Sequence, residues 1–146
     1  MVLKGNSLAS KIICIPISSE LTNSEILKIA KSHNFQVFDL NAVKSEFQVN
    51  LAFFHAEKAF EQNSNISKDL LLEFLIRVAG IRQINKAIEK VGIKNTNQIL
   101  VTFSPNFSKV NSEDEILKLL KAKKIKWKQT EDKNEILRMV ELQLEK

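Results

Sequence analysis

The sequence predicts an α+β fold in which helices pack on a small, mostly antiparallel sheet of about four strands. Two strand–helix–strand units with short apolar strands lie towards the two ends of the chain. A helical block over about residues 50–92 separates these units and is interpreted as a three-helix insertion. The length of 146 residues, 44% of them hydrophobic, is typical of one domain, which we expect to cover 1–146.

The first unit begins with a strand over Lys11–Ile17, whose residues are mostly β-branched and apolar. Pro16 indicates that this is an edge strand or a strand end, because proline cannot donate to a ladder. Thr22 and Glu25 have the spacing of a capping box and predict the start of the first helix. The second strand is predicted over Phe35–Leu40.

The helical block contains a first helix over about 50–62 and a second over 68–79, for which Ser67 is the predicted N-cap. The second helix is apolar on nearly every face, which is typical of a helix buried in the middle of a fold. Its polar exceptions after residue 70 are Glu73 and Arg77, whose i,i+4 spacing allows them to pair.

The third helix of the block lies between Gly80 and Gly92, since glycine commonly ends a helix. One of its faces is apolar. Arg82, Lys86 and Lys90 recur every four residues on another face, so they form a basic stripe.

The last unit starts with a strand over Asn97–Ser104. A capping box from Ser112 to Glu115 opens a helix that runs to about Ala122, with three acidic residues in its first turn. Alternation of lysines with Ile125 and Trp127 predicts a half-exposed edge strand over 124–129. A final helix covers 131–145.

The net charge of +5 is confined to one half of the chain, because residues 1–73 carry −1 and residues 74–146 carry +6. Such asymmetry favours a polyanionic partner. The alternative is a lysine-rich surface that only keeps the protein in solution.

Composition also excludes several classes of protein. The single cysteine rules out an intramolecular disulfide and a cysteine-rich zinc site. No apolar run reaches the roughly 20 residues of a membrane helix, and Met1–Ser10 lacks the pattern of a signal peptide. We therefore expect a cytoplasmic protein that does not act at a membrane, present in the nucleus as well if its source is eukaryotic.

The residues that commonly carry catalysis form no recognisable site. Cys14 lies among isoleucines, which favours a buried structural thiol. His33 and His55 lack a metal-binding spacing, and His55 with Glu57 lacks the cysteine motif of zinc deaminases. Phosphate-binding loops and nucleophile elbows are absent from the sequence. We predict a binding protein without catalytic residues, metal, cofactor or small-molecule substrate, and an enzyme using His55 and Glu57 is the alternative.

One segment, residues 66–93, carries a distinctive motif and is called the signature segment below. Its marked positions are Glu73, Gly80, Arg82, Gln83, Ile84, Ala87 and Gly92. This spacing resembles that of the kinase-binding (TPRKB-like, Cgi-type) subunit of the KEOPS tRNA-modification complex. The resemblance extends over about residues 10–145 and includes the apolar pair Phe53 and Phe54 before Ala56.

The resemblance implies a function. Members of this family are non-catalytic subunits that bind the N-lobe of the atypical kinase/ATPase subunit. They also bind tRNA, largely through its 3′ CCA end, and so recruit it for the threonylcarbamoyl modification of adenosine 37. A general RNA-binding or scaffold module without a kinase partner is the alternative.

Two basic clusters are candidates for the tRNA surface. We predict phosphate contacts from Arg82, Lys86 and Lys90 with Arg77 nearby, against the alternative that Arg77 pairs with Glu73 and the lysines are only solvated. The second cluster comprises Lys118, Lys121, Lys123, Lys124, Lys126 and Lys128.

Within the second cluster, we predict that Lys124 and Lys126 contact the CCA tail while a base stacks on Trp127. The alternative is that Trp127 packs in the core and the lysines protect an edge strand.

The final helix is the candidate for the kinase-binding surface. Ile136, Leu137, Val140 and Leu144 form one stripe on a helical projection, and Met139 and Leu142 project outside it. An apolar surface that is wider than one stripe suggests that the helix packs on the core and also contacts a partner. We predict kinase contacts from Ile136, Met139, Val140 and Leu142, against the alternative that all of them pack internally.

Overall fold

The computed structural model describes residues 11–145, and the prediction about a signal peptide in Met1–Ser10 lies outside this range. Four strands form one antiparallel sheet in the order β2-β3-β1-β4. The strands are β1 (Ile13–Ser19), β2 (Gln36–Asp39), β3 (Ile99–Phe103) and β4 (Ala122–Lys124). The predicted α+β fold is therefore confirmed.

Six α-helices accompany the sheet in the described part of the chain. They are α1 (Asn23–Ser32), α2 (Glu46–Glu61), α3 (Leu70–Ala79), α4 (Ile84–Val91), α5 (Glu113–Leu119) and α6 (Lys133–Leu144). The three-helix insertion between β2 and β3 is confirmed, but it begins at Glu46 rather than near residue 50. The earlier start follows from Ser45, whose side chain caps α2 by accepting from the backbone N–H of Gln48.

The sheet is buried on both faces, since side chains alternate along each strand. Ile15, Ile17 and Val101 point to the face covered by α1 and α5. Phe38 and Leu100 point to the opposite face, where the larger core includes residues of α2, α3, α4 and α6. The fold thus places the signature segment and the final helix in one layer, on one side of the sheet.

The expectation that Pro16 marks an edge strand or a strand end is wrong, because β1 lies between β3 and β4 and Pro16 is in its middle. The Pro16 carbonyl accepts a hydrogen bond of 2.9 Å from the backbone N–H of Ile125. The nitrogen and carbonyl of one strand residue point to the same side, so the proline nitrogen also faces away from β3. The β1–β3 ladder therefore loses no hydrogen bond.

The predicted N-cap of the second inserted helix is also wrong. Asp69 caps α3 by accepting from the N–H of Leu71 at 3.3 Å, and α3 begins at Leu70. The Ser67 hydroxyl instead accepts from the N–H of Asp69 at 3.1 Å. The helix α3 therefore begins two residues later than predicted.

The strand predicted over 124–129 is wrong in its extent, because β4 ends at Lys124. The residues that follow, 125–132, form an irregular segment, called the strap below, that contacts the start of α2. The Trp127 indole N–H donates to the Val43 carbonyl at 3.3 Å. The Gln129 side chain accepts from the N–H of Glu46 at 2.8 Å. Trp127 and Gln129 therefore bind the loop before α2 and the first residue of α2, rather than β1. Within residues 11–145, no helix combines the length and apolar character that crossing a bilayer requires.

Candidate functional site

The signature segment is organised around a buried ion pair. Glu73 is fully buried, and its Oε1 accepts from the backbone N–H groups of Ile66 at 2.9 Å and Ser67 at 2.7 Å. Its Oε2 lies 2.9 Å from Nε and 2.8 Å from Nη2 of Arg77. Arg77 also donates to the side chain of Gln143 on α6 at 3.0 Å. The predicted tRNA contact of Arg77 is corrected, since its guanidinium is enclosed in the core and already paired.

Gly80 allows the end of α3 to pack closely on α6. Its φ of 67° is left-handed, and an added Cβ would lie 3.1 Å from the Cβ of Arg138. At the end of α4, Gly92 also leaves no room for a side chain, because an added Cβ would lie 2.6 Å from the Ile88 carbonyl oxygen. Both glycines are therefore required by packing.

Lys90 links the signature segment to the final helix through hydrogen bonds. Its Nζ donates to the Ala79 carbonyl at 2.8 Å and to the two carboxylate oxygens of Glu135 at 3.0 and 2.9 Å. The Lys90 side chain is mostly buried. Its predicted role in a phosphate-binding stripe is corrected, because three hydrogen bonds already hold the ammonium group.

The remaining basic residues of the stripe are open to solvent. Arg82 and Lys86 are exposed, and the nearest acid to Arg82 is the exposed Glu145 at 3.8 Å. Gln83 occupies the N-cap of α4 but makes no capping hydrogen bond with its side chain. The first turn of α4 therefore presents backbone N–H groups and positive charge on the same surface.

The second predicted tRNA surface is only partly available. Lys126 is exposed, whereas Lys124 forms a 3.0 Å ion pair with Glu113. Trp127 is partly buried against the larger core, and its indole N–H donates to the Val43 carbonyl. The structure thus favours a packing role for Trp127 over base stacking.

The final helix presents only part of the predicted kinase surface to solvent. Met139 and Leu142 are 1% and 4% exposed and belong to the core, so their predicted kinase contacts are corrected. Ile136 is half-buried against the same core. Leu137 and Val140 face outward with exposures of 58% and 39%.

The outward face of α6 forms one wall of an apolar groove. The groove has a volume of about 710 Å³, and Phe47 of α2, 64% exposed, forms its other wall. The strap before α6 contributes the acidic residues Glu131 and Asp132 to its rim. Phe47 was missed from the sequence because α2 was expected to begin after it. We call this feature the apolar groove and define it by Phe47, Ile136, Leu137, Val140 and a polar rim, which includes Lys133 beside the two acidic residues.

The two groups considered for catalysis lie in desolvated surroundings. Burial, with a smaller contribution from Glu46, raises the pKa of the Cys14 thiol to about 12. Burial and then the Arg77 charge lower the pKa of His55, whose buried Nδ1 has no partner in the described residues. Residues 11–145 contain no group of three His, Cys, Asp or Glu side chains arranged to hold a metal ion.

A family model described as "Kinase binding protein CGI-121" matches residues 15–143. None of the curated proteins matches the chain. The matched range includes the whole signature segment and most of α6, and the predicted resemblance is confirmed. The chain therefore belongs to the CGI-121 family of kinase-binding proteins.

Proposed function

We propose that this chain is the kinase-binding subunit of a KEOPS complex, without catalytic activity of its own. It binds the atypical kinase/ATPase subunit and recruits tRNA through the 3′ CCA end for threonylcarbamoylation at position 37. Family membership supports the kinase partner. The cytoplasm, with the nucleus in a eukaryote, is the proposed place of action. The single observation that carries the kinase site is the apolar groove.

The groove has the anatomy of a protein-binding surface. Phe47, Leu137 and Val140 expose adjoining apolar side chains, and a contiguous apolar patch rimmed by polar groups marks interaction sites in soluble proteins. Two helices anchored in the core carry these residues, so little ordering is needed on binding. We propose that Ile136 and Val140 from the sequence prediction, with Leu137 and Phe47, bind the kinase.

A substitution on the exposed face of α6 tests this site. Leu137→Arg places a charge in the centre of the groove and is expected to weaken kinase binding at least about 30-fold, since hot-spot losses are about 2 kcal/mol or more. The measurement is calorimetric titration with the purified kinase subunit. Leu27→Arg, at an exposed leucine of α1 on the other side of the sheet, is the matched control. Wild-type affinity of the Leu137→Arg variant would contradict the proposed site.

The tRNA part of the proposal is supported by the exposed start of α4. Arg82 and Lys86 supply positive charge beside a helix N-terminus without a side-chain cap, and this combination favours phosphate groups. Lys126 is the exposed member of the second predicted surface and remains a proposed contact, as does Lys124 if its pair with Glu113 opens.

Charge reversal at Arg82 and Lys86 is expected to abolish most tRNA binding, measured by filter binding with intact tRNA and with tRNA lacking CCA. Reversal of Lys28 and Lys31, two exposed lysines of α1, is the control. Equal binding of the two tRNAs would argue against recognition of the CCA end. If tRNA binds but no kinase co-purifies, the general RNA-binding module becomes the better description.

A further inference from the structure

A basic cleft lies where β1 ends, between the last turn of α5 and the start of β4. Its volume is about 470 Å³. The polar residues that define it are Ser18, Glu20, Asn97, Lys118, Lys121 and Lys123. None of these three lysines has a carboxylate within ion-pair distance in the described residues 11–145. The cleft therefore concentrates positive charge, with Glu20 as its acidic member and with Glu25 near enough to interact electrostatically with Lys121.

Different parts of the chain bring the charges together. Lys118 lies in the last turn of α5, whereas Lys123 lies on β4 directly opposite Ser18 in the sheet. The Ser18 hydroxyl donates to Oδ1 of Asn97 at 2.9 Å. This bond orients the Asn97 amide, whose N–H groups make no hydrogen bond among the described residues. The cleft thus presents ammonium and amide donors from separate elements.

Lys121 stands at a backbone position that favours glycine. It follows Leu120, the C-cap of α5, and has a left-handed φ of 46°. At the end of α3 the left-handed residue is Gly80, with a φ of 67°. A side chain at such a position destabilises the folded backbone relative to glycine. Lys121 therefore keeps its charge at a strained backbone position, where it interacts electrostatically with Glu25 and lines the cleft.

We infer that the basic cleft binds backbone phosphates of RNA and forms a second contact with the RNA that the proposed function recruits, on which this inference rests. No aromatic side chain lines the cleft, so base stacking is not its mode of binding. Ammonium groups contact phosphates without reading sequence and release condensed counterions. A chain of phosphodiesters offers successive phosphates to the three lysines, and RNA is the polyanion that the proposed function supplies.

Lys121→Gly tests the inference, because it removes the charge and also relieves the left-handed backbone. The variant is expected to keep or raise the melting temperature while binding tRNA more weakly. Loss of one phosphate contact also reduces by about threefold the ratio of affinities measured at 50 and 200 mM salt. Joint replacement of Lys118, Lys121 and Lys123 by Gln enlarges both effects.

The matched control replaces Lys28, Lys31 and Lys68 by Gln, which changes the net charge equally at exposed lysines outside the cleft. If the cleft variants bind tRNA with wild-type affinity and salt dependence while the Arg82 and Lys86 reversal loses binding, the inference is overturned and the proposed function stands. If the unaltered protein binds no tRNA, both are overturned. Inorganic pyrophosphate binding as tightly as RNA would assign the cleft to a small anion and also overturn the inference.

Discussion

Replacing Arg77 by methionine tests whether the signature segment has a buried structural centre. Arg77→Met keeps an apolar stem of similar length but removes the guanidinium that pairs with Glu73. The side chains of Glu73 and Arg77 are 0% and 4% exposed, so the carboxylate cannot turn to water after the change. It keeps only two backbone donors, from Ile66 and Ser67.

Removing one partner from a buried pair destabilises a protein by about 3–5 kcal/mol. Loss of the hydrogen bond to Gln143 adds about 1 kcal/mol. Because whole domains are stable by about 5–15 kcal/mol, this variant should approach the limit of folding. The assay is urea unfolding followed by circular dichroism and by the fluorescence of Trp127, the only tryptophan.

A double variant provides the control. Glu73→Gln together with Arg77→Met removes the charge but keeps an acceptor for the two backbone N–H groups, so it should be more stable than Arg77→Met alone. A wild-type unfolding midpoint for Arg77→Met, combined with weakened tRNA binding, would refute the structural role and return Arg77 to the RNA surface.

Three further predictions concern single residues. Gly80→Ala should destabilise the fold by about 1–3 kcal/mol in thermal unfolding, because φ is left-handed and the new Cβ meets Arg138; an unchanged melting temperature would contradict this. The pKa of His55 is lowered in the folded protein, so below about pH 6.5 the unfolded chain binds a proton that the folded chain does not. The free energy of unfolding should therefore fall as the pH drops below about 6.5. His55→Gln should remove this part of the pH dependence. Cys14 is half-buried, and with a pKa of about 12 against an ordinary 9.0 its thiol should react with thiol reagents about 1000-fold more slowly than a free cysteine; labelling of folded protein at the rate of a free cysteine would contradict the raised pKa.

Local signals predicted most of the fold. The capping box at Thr22 is confirmed with both of its hydrogen bonds, because a cap is a contact between residues close in the sequence. Ser112 caps α5 as predicted, but the Glu115 side chain accepts from the N–H of Asn111 rather than from that of Ser112. The pairing of Glu73 with Arg77 also followed from local spacing, as the alternative to an RNA contact. The start of α3 was misplaced because Ser67 and Asp69 are both good caps.

The direction of α6 was not predictable from its own sequence. A helical projection groups Leu137 with Val140 and separates them from Met139, but it does not say which group meets the rest of the protein. Long-range contacts decide that question. Lys90 was misjudged for a similar reason, since a long lysine side chain reaches an acid 45 residues away in the sequence.

The most direct test of the kinase-binding site is a methyl NMR titration of the isotope-labelled protein with the unlabelled kinase subunit. The account predicts that the methyl resonances of Leu137 and Val140 shift or broaden on binding. The resonances of Leu27, exposed on the other side of the sheet, should stay in place. Perturbation of Leu27 with unchanged Leu137 and Val140 would show that the kinase binds elsewhere.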